Sequence, residues 1–239
     1  MTTATREELI EFLAITQELE RRANARDLSK WFPDIADHAN RIFGRTEYPK
    51  HMAFFKAGAE FNERAFIAAN RVGKSVCGGF ETAVHATGLY PHWWEGWRMD
   101  RPIRAWCAGK TGETTRDIVQ VVLFGPPDAF GSGMIPKRLI GEVKTRPNTN
   151  GALDYVTVKN EATGRWGRIG FKSFEQGRKA FEGTEQDFIW GDEEMPSDVY
   201  TECLTRTATT NGRIVLTFTP LEGVTDLVHQ FMTDGVKLA

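Results

Sequence analysis

The chain has 239 residues, 41% of them hydrophobic, and its 30 basic and 32 acidic side chains leave a net charge of −2. That is enough apolar material for one large core, and the near balance of charge argues against a duplex binder that works by bulk basic excess. No apolar stretch or signal-like start points to a membrane or to secretion, and Cys77, Cys107 and Cys203 are too scattered for a disulfide framework or a zinc site.

From Thr5 to Asp27, Leu9, Phe12, Ile15 and Leu19 recur at helical spacing, predicting a helix whose stripe packs on the core. Ser29 to Pro33 breaks that helix and Pro33 to Phe43 starts another, so residues 1–45 read as a helical N-terminal extension and residues 46–239 as the core. Tyr48 to Lys56 predicts a further helix, Arg64 to Ala69 a buried strand, and Gly73 to Thr87 a long helix. The cluster His92, Trp93, Trp94 and Trp97 is expected to be buried beneath a loop, given the large apolar area of tryptophan. Ile103 to Ala108 predicts a second core strand, Glu113 to Phe124 its helix, and Gly125 to Gly133 a loop. Tyr155 to Val158 and Arg168 to Phe171 flank a turn-like segment and predict a β-hairpin insertion on the sheet. Phe188 to Gly191 and Arg213 to Phe218 read as buried strands, with a helix from Pro196 to Thr207 between them. The fold class is therefore α/β, a mostly parallel sheet flanked by helices.

Three strand ends carry chemistry. In Phe66–Ser75, an apolar run feeds a small loop that ends in Gly73, Lys74 and Ser75 and opens a helix. Backbone N–H groups and a helix N-terminus together cradle a triphosphate, so the loop residues Asn70, Arg71, Val72, Gly73, Lys74, Ser75 and Val76 are the nucleotide-binding candidates. Lys74 would reach the β- and γ-phosphates of ATP, and the Ser75 hydroxyl would hold Mg²⁺. Ala68 stands where glycine is usual and is expected to keep a negative φ. Arg71 has two readings: a surface arginine, or a cation that faces the γ-phosphate. The second strand end, Asp192 and Glu193, would put one carboxylate beside the metal and the next beside the attacking water; the plainer reading is that Asp192, Glu193 and Glu194 solvate a strand end and cap a helix. At the third, Thr219, with Thr217 second, could sense the γ-phosphate, or these threonines could merely fill a strand.

The order of these motifs resembles the ATPase domain of the large terminase subunit, the motor that packages double-stranded DNA into tailed-phage capsids. The resemblance runs from about Tyr48 to Glu222 and rests on AANRVGKS, FIWGDEEMP and LTFTP, with the flanking YPKHMAFF, YPHWWEGWR and GRKAFEGT. It implies a P-loop NTPase fold of the ASCE type, nucleotide and Mg²⁺ on Lys74 and Ser75, Asp192 as metal-side acid, Glu193 as catalytic carboxylate and Thr217 to Thr219 as coupling motif. Arg71 matches in kind the arginine such loops often carry, and Tyr48, Pro49 and Phe54 fall where the family grips adenine. Implied partners are duplex DNA, a portal, a small terminase subunit and other copies in a ring, all in the host cytoplasm. Arg101, Arg116 and Arg146 are candidates for an arginine acting across a subunit boundary. Complete members continue into a nuclease domain; none is expected here, so no nuclease activity is expected, and an excised motor half is the favoured reading of the length. Two basic runs, Arg98, Arg101 and Arg104, then Arg165, Arg168, Lys172, Arg178 and Lys179, read either as solvated surface or as weak, salt-dependent contacts to a DNA backbone. A helicase-like ATPase, a phosphotransferase with the same loop, and a nucleotide-gated assembly module remain as rival functions.

Overall fold

The structure, a computed structural model, describes residues 28–147, 149–221 and 223–233, together with Thr5, Phe12 and Ile15. Seven strands form one sheet: β1 (Glu63–Ile67), β2 (Arg104–Gly109), β3 (Ile140–Thr145), β4 (Leu153–Lys159), β5 (Trp166–Ser173), β6 (Phe188–Asp192) and β7 (Arg213–Phe218). Their spatial order is β1-β7-β6-β2-β5-β4-β3. The first five in that order run parallel, and β4 and β3 extend the sheet antiparallel. The helices are α1 (Pro49–Ala57), α2 (Lys74–Thr87), α3 over residues 112–124, α4 (Ser197–Ala208) and α5 (Asp226–Thr233).

Each face of the sheet packs its own core, and the alternation of side chains along the strands sorts residues between them. Phe188 and Trp190 of β6, Cys107 of β2 and Val215 of β7 point to the face covered by α1, α2 and α3. Ile189, Trp106, Ile214 and Leu216 point to the face covered by α4 and α5. Helix α2 is buried along nearly its whole length, and Gly78 makes that possible, because a Cβ there would come within 2.1 Å of the Trp190 indole nitrogen. Of the predicted cluster, Trp94 is buried as expected, at 4% exposed; Trp93, which stacks on Phe80 of α2 with ring centres 5.8 Å apart, and Trp97 are half-buried, and His92 is exposed.

A buried ion pair ties β1 to α2. Arg64 and Glu81 are 5% and 0% exposed; Arg64 Nη1 donates to Glu81 Oε2 at 3.1 Å and to the Phe54 carbonyl of α1 at 2.8 Å, and Nη2 donates to Glu81 Oε1. Burial favours the neutral acid, yet the Arg64 guanidinium, with His85, holds the Glu81 carboxyl below the usual carboxylate range.

Three expectations change. Pro33 to Phe43 is not a helix: it holds a 3₁₀ turn at His38–Asn40 inside a bridge between Asp37 and Ile42. The Asp37 carboxylate accepts from both the backbone and side-chain amides of Asn40, a local bond that competes with helix formation. The predicted Glu113 to Phe124 helix exists, but its middle, Thr115–Gln120, has π geometry. The hairpin is there as β4 and β5; β5 is also a full parallel partner of β2, and the exposed strand β3 lies outside it. The Thr5 to Asp27 helix lies largely outside the described residues, as do Leu9 and Leu19; Phe12 and Ile15 are 68% and 52% exposed, so at those two positions the stripe does not pack on the core as expected.

Candidate nucleotide-binding site

Strand β7 lies between β1 and β6 and runs parallel to both, so the three strand ends singled out in the sequence lie side by side at the carboxyl end of these strands. From β1 the chain enters the loop through Ala68, whose N–H donates to the Phe218 carbonyl at 3.2 Å. Ala68 keeps out of the left-handed region, as expected; that conformation falls instead on Arg71 (φ 63°) and Gly73 (φ 84°). A left-handed arginine costs about 1 kcal/mol or more. Helix α2 then starts at Lys74 with no side-chain cap, which leaves its first N–H groups for a ligand.

Lys74 is nearly buried, and its Nζ bridges back across the loop to the Ala69 carbonyl at 2.8 Å. Ser75 Oγ donates to Asp192 Oδ1 and Oδ2 at 2.9 and 3.0 Å, joining positions 117 residues apart. Thr217 Oγ1 also donates to Asp192 Oδ1, at 2.7 Å. Asp192 is 4% exposed. Burial pushes its carboxyl up to about 6, against the Thr217 and Ser75 hydrogen bonds and with the neighbouring Glu193 charge adding to the rise. Thr219 Oγ1 lies 2.8 Å from both the Ala68 carbonyl and Asn70 Oδ1, and so pins the loop to the end of β7.

Glu193 follows β6 with φ 91°, far from the preferred range of a non-glycine residue. Its N–H donates to the Thr217 carbonyl at 2.9 Å, while its half-buried carboxylate has no hydrogen bond or ion pair among the described residues. Arg71 is exposed and likewise makes no such bond among them. Val76 packs against the α2-side core. The next acid, Glu194, accepts a hydrogen bond from Thr225 just ahead of α5.

A hollow of about 940 Å³ opens beside the loop, lined in part by Tyr48, Pro49, His51, Phe54, Ala68 and Val72. Of the predicted base contacts, Tyr48 is half-buried at its mouth, whereas Phe54 is 3% exposed and belongs to the core. Sequence reasoning passed over His51, which lies three residues beyond Tyr48 on α1, with its ring nitrogen 3.2 Å from where a Cβ on Gly73 would sit. Burial pushes its imidazole below the ordinary histidine value, opposed by the backbone of Gly73 and Val72. Trp190 was passed over as well; its Nε1 donates to Thr217 Oγ1 at 2.8 Å.

The basic runs do not make one free cationic surface. Lys172 turns inward, with Nζ bonded to the Ala180 carbonyl and 4.3 Å from the centre of the Trp106 ring, and burial lowers its pKa. Arg178 pairs with Glu202 at 3.0 Å, and Arg168 stacks on Tyr155 at 3.6 Å. Arg101 is held by Asp187 at 2.8 Å, Arg116 by Asp117 at 2.6 Å, and Arg146 by the Phe171 carbonyl. All three candidates for action across a subunit boundary therefore have partners within their own chain.

Residues 65–237 match the family described as terminase large subunit, T4likevirus-type, N-terminal. The chain is 34% identical over 250 residues to the terminase large subunit of Salmonella phage P22, covering 97% of its own length and 47% of that protein's. Among solved structures, the large terminase of a thermophilic bacteriophage aligns with a TM-score of 0.49 at 15% identity, over 72% of this chain and 37% of that one. The chain thus spans about half the length of its curated relative, and on the family match and that identity it belongs to the terminase large subunit family.

Proposed function

We propose that this chain hydrolyses ATP and that the cycle drives double-stranded viral DNA into procapsids. One observation carries the reading most directly: the Ser75 hydroxyl and the Asp192 carboxylate, from different motifs, meet at 2.9 Å beside an uncapped helix start. A hydroxyl and a carboxylate are hard oxygen donors of the kind Mg²⁺ takes from a protein when phosphates and water complete its shell. Ser75 and Asp192 would hold Mg²⁺, which when bound neutralises charge across the β- and γ-phosphates.

The residues divide the remaining work. The open N–H groups of the loop and of the α2 start receive the phosphates, and Lys74 exchanges the Ala69 carbonyl for a phosphate oxygen. The Glu193 carboxylate orients the attacking water and takes up its proton. Arg71 supplies positive charge from within the same loop, and the hollow beside Tyr48 and Val72 receives the base. Thr219, which bonds Asn70 in the loop, links the phosphate site to the segment running to α5. Duplex DNA, a portal, a small terminase subunit and further copies in a ring are the partners of this reading, in the infected host cell.

The test is Mg²⁺-dependent phosphate release from ATP, with and without duplex DNA, at several protein concentrations. Glu193→Gln should bind nucleotide but lose turnover, and Lys74→Ala should lose both. Turnover in Glu193→Gln equal to wild type would remove the catalytic assignment. Failure of the wild-type chain to release phosphate under any of these conditions would remove the hydrolytic reading.

A further inference from the structure

Asp192 receives two hydroxyl groups, and a third residue decides the direction of one of them. An indole N–H can only donate. Because Trp190 Nε1 donates to Thr217 Oγ1 at 2.8 Å, the threonine oxygen is an acceptor there and its own proton must go elsewhere. Two acceptors are within reach, Asp192 Oδ1 at 2.7 Å and the Gly191 carbonyl at 3.5 Å. The shorter contact takes the proton. Ser75 differs, since its single proton lies almost equally between the two carboxylate oxygens, so its hydroxyl can turn while Thr217 cannot.

The same indole also sets a spacing. Trp190 is fully buried, between the sheet and α2, the helix that carries Ser75. A Cβ on Gly78 would lie 2.1 Å from its Nε1, and one on Gly79 would lie 3.5 Å from its Cη2. The ring therefore determines how closely α2 approaches β6 and β7. Strand parity explains how one residue does both: Trp190 is two positions before Asp192, so both face α2, and Asp192 sits opposite Thr217 in the β6–β7 register.

We propose that Trp190 is a positioning residue for the metal-side acid, acting through Thr217 to hold Asp192 at the geometry in which it and Ser75 together accept Mg²⁺. The inference rests on the reading of Ser75 and Asp192 as the Mg²⁺ side of the site. It predicts an effect on metal-linked binding and a smaller one on nucleotide binding itself, because the Trp190 hydrogen bond goes to Thr217 and not to the loop or Lys74.

The experiment measures the dissociation constant of a fluorescent ATP analogue with Mg²⁺ and with EDTA in its place, and compares the gain from Mg²⁺ across variants. Trp190→Phe and Thr217→Val should each cut that gain by about tenfold, the low end for losing a hydrogen bond to a charged group, while binding in EDTA stays within about twofold. Thr217→Ser should restore it. The double variant should lose little more than Thr217→Val alone, since the phenyl ring keeps most of the spacing and the hydrogen-bond route runs through the threonine. An unchanged gain in Thr217→Val, or fully additive losses in the double variant, would overturn the proposal. Should Trp190→Phe not fold, the Thr217→Val and Thr217→Ser pair still decides, because the proposal requires loss in the first and recovery in the second. If the wild-type chain binds equally well with and without Mg²⁺, the assignment of Ser75 and Asp192 fails, and the proposal with it.

Discussion

Replacing Asp192 by Asn separates the cost of the site from its use. In the metal-free fold, burial pushes this carboxyl from an ordinary 3.8 up to about 6. Each unit is worth about 1.4 kcal/mol, so the shift amounts to about 3 kcal/mol. A folded-state pKa above the unfolded value means that the contribution to stability is fully present below pH 3.8 and lost as pH rises through about 6. At pH 7.5 the wild-type fold thus carries an ionised, nearly dry carboxylate. Asn keeps an oxygen to accept from Thr217 and does not ionise. Measured by urea unfolding in EDTA, Asp192→Asn should gain on the wild type by roughly 1.5 kcal/mol between pH 5 and pH 7.5. With Mg²⁺ and ATP at about 100 times the dissociation constant, the wild type should recover about 2.7 kcal/mol, a gain the variant largely misses. A difference between the two proteins that stays flat from pH 5 to pH 7.5 would refute the assignment of a raised, buried acid.

Three further expectations follow from packing and backbone geometry. Glu81→Ala leaves Arg64 charged and buried without its partner and should cost about 3–5 kcal/mol, whereas Arg64→Met combined with Glu81→Leu should recover most of that; denaturant midpoints of the two proteins check it. Gly78→Ala drives a methyl group to within 2.1 Å of the Trp190 indole nitrogen and should cost about 1–3 kcal/mol as the helix or the ring gives way, visible as a fall in urea midpoint and a change in tryptophan fluorescence. At Glu193, with φ 91°, Glu193→Gly should be more stable than Glu193→Ala by about 1 kcal/mol, the reverse of the usual order for these two residues. Thermal unfolding that ranks Ala above Gly would show that the left-handed backbone at 193 is not retained.

What could be read in advance followed local rules. Arg213 to Phe218 was legible to its end residues because a run of β-branched and apolar side chains buried on both faces has few other solutions. The positions of the loop and the acid pair were legible because each follows the end of an apolar strand run. Pro33 to Phe43 failed because one aspartate bonding Asn40 outweighed a weak helical pattern. Strand β3 was invisible because its four exposed residues carry no period that burial would impose. Lys172 looked like surface charge, but on β5 it lies where Trp106 and the Ala180 carbonyl can take its ammonium.

Trp190 shows where such reading stops and why. Its parity with Asp192 was available from the sequence, since both are even steps along one strand, and the glycines at 78 and 79 signal a close approach to something large. What was missing is register. Nothing local states that β7 lies between β1 and β6 or that Asp192 of β6 pairs with Thr217 of β7. Once β7 is placed there, the rest follows from valence: an indole that only donates meets a hydroxyl that does both and then a carboxylate that, when ionised, only accepts, so the proton order along Trp190, Thr217 and Asp192 has one solution. On the proposed reading, a residue without acid, base or nucleophile would gain a part in metal binding from strand order, and variants that disturb strand packing near β7 should affect Mg²⁺-linked binding before they affect the phosphate loop.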